Sequence, residues 1–102
     1  MKGEYNMMAN IPIDLAKLKK SDIDKEILRT GIIAELDAIN LYEQMAGLAQ
    51  DENIKKILLD IAKEEKTHTG EFQAMLLRID SEHKKELEEG EEEVNEKLGR
   101  KK

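Results

Sequence analysis

Cysteine and tryptophan are both absent from these 102 residues. The missing thiol excludes disulfides, thiolate-held Fe–S clusters and cysteine nucleophiles together. Proline occurs once, at Pro12, and aromatics make up 3% of the chain, so leucine, isoleucine and alanine must build the core. Period-2 alternation is missing too, which makes an all-α fold the default. No apolar run approaches the ~18 residues of a membrane span, and the first residues lack the hydrophobic stretch of a signal peptide. A cytoplasmic protein with no membrane partner is therefore expected. Lys and Arg number 17 against 23 Asp and Glu, a net charge of −6. That balance argues against nucleic acid and suits cations. The length holds one domain with a modest core.

What is present reads as helices with recognisable ends. Ser21 is a plausible N-cap, with Asp22 and Asp24 in the first turn where carboxylates favour the helix dipole, so a first helix is expected over 22–49. Asp51 can cap a second helix over 52–79, and so short a connection makes the pair an antiparallel hairpin. Each helix would span roughly 40 Å. Asp80-Ser81 supplies the next stop and cap signal. Residues 82–89 are strongly polar, Gly90 reads as a break, and 91–98 can form a short third helix. The glutamates from Glu88 to Glu93 read as a solvated segment. The expected organisation is thus an N-terminal extension (1–20), a helical hairpin domain with a short third helix (21–98) and a basic tail (99–102).

Stepping by three and four residues along the first helix from Leu28 gives Gly31, Ile32, Glu35, Ala38, Ile39, Tyr42, Met45 and Ala46 on one face. Glu35 is the only charge among them. Along the second helix the same steps give Ile54, Ile57, Leu58, Ile61, Glu65, His68, Phe72, Met75, Leu76 and Ile79. Glu65 and His68 are three apart, so their side chains are neighbours and can reach one ion. Burying an ionised carboxylate alone costs several kcal/mol or more, so counter-charge, protonation or water must accompany both glutamates. A bound cation meets that need. Taken singly, the residues have plainer readings: an E-x-x-H pair arises by chance in a chain with 39% charged residues, and His68 alone would be a hydrogen-bonded core histidine. Glu35 alone would be a half-exposed carboxylate at a kink. Tyr42, on the Glu35 face, reads by default as a packing residue with a wet hydroxyl and otherwise as a site-adjacent or redox residue.

A two-helix hairpin cannot shield its own apolar stripes, and a second copy is the natural cover. Di-iron carboxylate bundles use one Glu from each of two helices and one Glu-x-x-His from each of the other two. This chain encodes half of that set, and a two-fold dimer would complete a four-helix bundle with the full set. Four carboxylates carry about −4, which two divalent ions neutralise. Mixed carboxylate and imidazole ligation suits Fe(II), Mn(II) or Zn(II), of which only the first two support redox chemistry.

The run Ala34-Glu35-Leu36-Asp37-Ala38-Ile39-Asn40-Leu41-Tyr42-Glu43-Gln44, with Glu64-Glu65-Lys66-Thr67-His68, closely resembles the encapsulated ferritins over residues 21–98. The resemblance implies a ferritin-like four-helix bundle formed by dimerisation and a ring of five such dimers, a decamer. It also implies a ferroxidase centre with two irons per dimer interface, working inside an encapsulin shell that stores the oxidised iron. Residue by residue, it makes Glu35, Glu65 and His68 metal ligands and catalytic residues, and Tyr42 the tyrosine beside the site. Some members carry glutamate where this chain has Ala34 and tryptophan where it has Leu41. The segment 97–102 resembles the short peptides by which encapsulin cargo docks, with Leu98 in an apolar pocket and Gly99 in an extended turn; a frayed basic terminus is the alternative. Three functions stay open at this point: an Fe(II) oxidase, a structural oligomer closed by a metal, and an inert oligomer or cargo adaptor whose carboxylates are protonated or paired.

Overall fold

The computed structural model describes residues 19–99. The expected N-terminal extension over 1–18 and the basic residues 100–102 lie outside the described residues. Three helices follow one another: α1 (Lys20–Leu48), α2 (Glu52–Ile79) and α3 (Ser81–Leu98). Among the described residues there is no strand, so the all-α expectation holds.

α1 begins earlier than its sequence suggests. Lys19 occupies the N-cap position in an extended conformation with no side-chain cap, and its carbonyl accepts the Asp22 N–H at 2.8 Å. Ser21 therefore lies inside the first turn. Backbone bonding meets the need that a serine cap would otherwise fill. The α1–α2 turn is as expected: Asp51 Oδ1 accepts from the N–H groups of Asn53 at 2.7 Å and Ile54 at 3.2 Å, two donors that an α-helix leaves free at its start.

α3 departs most from expectation. It is one helix of 18 residues running through Gly90, so the expected break is absent and the helix takes in the polar stretch 82–89; the glutamates of 88–93 are exposed, as a solvated segment should be. One interior glycine costs a helix only about 1 kcal/mol. Its neighbours are Glu, Lys and Leu, good helix formers, and Lys84 pairs with Glu88 at 3.2 Å one turn on. Asp80 caps the start by accepting the His83 N–H at 3.0 Å. Leu98 ends the helix, and Gly99 takes the left-handed conformation (φ 69°) of a C-cap. Leu98 and Gly99 thus finish a helix, and the rest of the expected docking segment lies outside the described residues.

α1 and α2 make the antiparallel hairpin. Arg29–Asp80, Gly31–Phe72, Glu35–His68 and Glu43–Lys66 meet in reverse order along α2. The seam is narrow. Ala46, Ala62 and Leu76 are its fully buried apolar residues, and the Phe72 ring lies across Gly31 so closely that a Cβ there would sit 3.1 Å from it. α3 approaches the hairpin in few places. A radius of gyration of 17.2 Å exceeds the ~13 Å of a compact domain of this length, as expected of a hairpin with a projecting arm.

Candidate metal centre

Glu35 comes from the middle of α1, and Glu65 and His68 come from consecutive turns of α2. The helical period explains the α2 pair, and the antiparallel register brings Glu35 opposite it. One ligand-capable atom from each lies within 4.8 Å of the others. His68 Nδ1 stands 3.2 Å from Glu65 Oε1 and 3.7 Å from Glu35 Oε1. The three residues singled out from the sequence are therefore the three that converge. Tyr42 lies on α1 two turns from Glu35 and is half-buried. Glu64, next to Glu65, is exposed and outside the group, as an angular step of about 100° requires.

The charge state of the trio follows from its crowding. Ionised, Glu35 Oε1 is a buried oxygen without a hydrogen-bond partner. Protonated, Glu35 can donate to Glu65, and that bond, with burial and the Glu65 charge, holds its proton above the usual range. Glu35 thus loses its proton at a higher pH than an isolated carboxyl does, because the two carboxylates cannot both ionise cheaply side by side. His68 is raised as well, first by its hydrogen bond to Glu65 and then by the charges of Glu35, Glu65 and Glu71. A divalent cation would supply the counter-charge that two crowded carboxylates need. Two carboxylate oxygens and an imidazole nitrogen match the donor preferences of iron, manganese or zinc, and the orphan oxygen supplies a lone pair aimed into the group. The side chains of Glu35 and Glu65 are 19% and 20% exposed, whereas His68 is 47% exposed. The open side continues along α2 as Ile54, Ile57, Met75 and Ile79, all more than 40% exposed.

Three features were not anticipated. Asp37 is buried at 5% exposure, on the side of α1 away from Glu35, and nothing in the stripe pattern marks it. Glu71 feels His68 electrostatically; its place three residues beyond His68 was the available signal. Lys66 bridges the helices beside the site by pairing with Glu43 at 3.0 Å.

The profile of the rubrerythrin family matches residues 26–101. A ferritin-like–encapsulin shell fusion protein of Pyrococcus furiosus is 65% identical over 74 residues, covering 72% of this chain and 21% of the relative. An encapsulin nanocompartment cargo protein, EncC of Myxococcus xanthus, is 37% identical over 76 residues, covering 72% of this chain and 58% of the relative. This chain therefore spans about a fifth of the first relative and 58% of the second. The crystal structure of the encapsulated ferritin domain from Pyrococcus furiosus superposes with a TM-score of 0.78 at 52% identity, covering 98% of this chain and all of that one.

Proposed function

This chain belongs to the rubrerythrin family, on its encapsulated-ferritin branch, and from that premise we propose that it is a ferroxidase that oxidises Fe(II) for storage within an encapsulin compartment. The observation that carries the reading is Glu35 Oε1, a buried acceptor with no hydrogen-bond partner, held within reach of Glu65 and His68. Iron is substrate here, and each Fe(II) gives up one electron to an oxidant such as oxygen. Glu35 from α1 and Glu65 and His68 from α2 would hold the iron, two carboxylates and one imidazole. Carboxylates favour the ferric product over the ferrous substrate because they stabilise the higher charge more. Iron binding needs ionised carboxylates and an unprotonated imidazole nitrogen, so it competes with protons that Glu35 and His68 hold more tightly than usual.

A single protomer offers half of a di-iron ligand set, and the open side of His68 with its flanking apolar residues supports completion by a two-fold partner. Each dimer interface would then hold two irons, and a ring of such dimers is the expected assembly. The fusion and cargo relationships of the relatives support a partnership with an encapsulin shell, hence a location inside a cytoplasmic nanocompartment. Among the described residues, no helix is long and apolar enough to cross a membrane.

The test is an anaerobic Fe(II) titration followed by oxygen. Oxygen uptake that tracks added Fe(II) is expected. Glu65→Ala and His68→Ala should each lower the rate at least roughly a hundredfold, the scale of losing a metal ligand or its support, with helicity unchanged. Glu64→Ala should leave the rate within about twofold, because its side chain points some 100° away. Metal bound without oxygen uptake would instead favour a structural metal, and wild-type rates in both ligand variants would reject the site.

A further inference from the structure

Asp80 is the single residue between α2 and α3, and both of its carboxylate oxygens are engaged. Oδ1 accepts the His83 N–H at 3.0 Å, and Oδ2 receives Arg29 Nη2 at 2.8 Å. Asp80 is buried while Arg29 is 42% exposed. The first contact fixes the start of α3; the second ties that start to α1, two helices away in sequence. Little else restrains the arm. Between α1 and α3 lies an open crevice of about 310 Å³ lined by Arg29, Asp80, Glu82, His83, Glu86 and Leu87, and close approaches of α3 to the hairpin are few. Leu87, 43% exposed, borders that crevice without filling it.

We propose that the Arg29–Asp80 ion pair is a strut that sets the angle at which α3 leaves the hairpin, so that one exposed arginine on α1 positions a whole helix it does not otherwise pack against. Such a strut is directional because a guanidinium presents its donors in a rigid plane. Its partner is buried and already oriented by the cap, so the pair costs less side-chain entropy than two free surface charges would. Asp80 is a positioning residue, and neither it nor Arg29 touches the metal-ligating trio.

The absence of native cysteine allows a clean measurement. Spin labels on Lys63→Cys in α2 and Glu96→Cys in α3, in labelled chain diluted with unlabelled chain, report the intramolecular distance by double electron–electron resonance. A single narrow distribution is expected for the otherwise native sequence. Arg29→Gln and Asp80→Asn should each broaden it at least twofold, and the double variant should be no broader than either single one. Arg29→Lys, which keeps the charge and loses the planar fork, should recover part of the narrowing. Glutamine is a good helix former at an exposed site, so Arg29→Gln remains informative even if a change at Asp80 impairs folding. Oxygen uptake on Fe(II) addition should stay at the native rate in Arg29→Gln. An unchanged distribution in Arg29→Gln, or broadening that adds between the two single variants, would overturn the strut and assign the angle to packing.

Discussion

At the scale of single residues, the proposed chemistry rests on Glu35, a carboxylate whose Oε1 is buried without a hydrogen-bond partner. Glu35 has a folded-state pKa above the ordinary 4.5, so the folded chain binds its proton more tightly than the unfolded chain does. Stability therefore falls as pH rises from 4.5 through the folded value. Glu35→Gln removes the charge and leaves an amide that can donate to Glu65. The chelated variant should be more stable than the native protein near neutrality, by on the order of 1 kcal/mol, the scale of one satisfied hydrogen bond. It should also bind divalent metal more weakly. Thermal unfolding with chelator and metal titration by calorimetry check the two halves, and a less stable variant would mean that ionised Glu35 is better solvated than its orphan oxygen indicates. His68 has the same sign of pH dependence. Its folded pKa lies above 6.5, chiefly through the hydrogen bond to Glu65, so its contribution is fully present below 6.5 and is lost as pH rises through the folded value. As pH rises from 6.5 through the folded value, the chelated native protein should lose stability that His68→Ala does not lose, while metal affinity rises over the same range.

At the scale of elements, the two long helices meet through small residues, and glycine has two unlike roles. A Cβ on Gly31 would stand 3.1 Å from the Phe72 ring, whereas one on Gly90 would meet nothing within 4 Å. Gly31→Leu should therefore destabilise the hairpin by about 1–3 kcal/mol through overpacking. Gly90→Ala should stabilise α3 by up to about 1 kcal/mol, since alanine is the better helix former and nothing obstructs it. Chemical denaturation with helicity as the readout separates the two; equal effects of the same sign would contradict this account of the seam. The same contrast shows what the chain discloses about itself. The Glu35, Glu65 and His68 faces and the Asp51 cap were legible because each depends on spacing within one helix or one turn. Gly90 misled because a glycine carries the same symbol whether it breaks a helix or is carried by strong formers around it. The Arg29–Asp80 contact was invisible because it depends on the angle between elements, and no periodicity within one helix contains that angle.

At the scale of the whole molecule, the open apolar edge of α2 and the candidate metal-binding trio lie on one side. In the proposed dimer the exposed Ile54, Ile57, Met75 and Ile79 would be buried against a second copy. The same contact would bring Glu35 and Glu65 toward their symmetry mates, where like charges repel at reduced dielectric. The two tendencies are coupled through metal: an ion that binds only the assembled state stabilises it by mass action, by about 2.7 kcal/mol at a concentration one hundred times its dissociation constant. Anaerobic Fe(II), or Zn(II) as a redox-inert substitute, should thus shift dilute protein toward the larger species by roughly a hundredfold in association constant, the equivalent of that energy. Added salt should produce a smaller shift in the same direction in chelated protein by screening the carboxylates. Sedimentation velocity across a dilution series, with chelator, metal or salt, measures all three. In Glu35→Gln the chelated protein should already assemble better than the native one and respond less to metal, because one of the two carboxylates that each copy brings to the contact has been neutralised. A mass independent of metal, salt and this substitution would mean that apolar packing alone sustains the assembly and that the ligands merely occupy an interface formed without them.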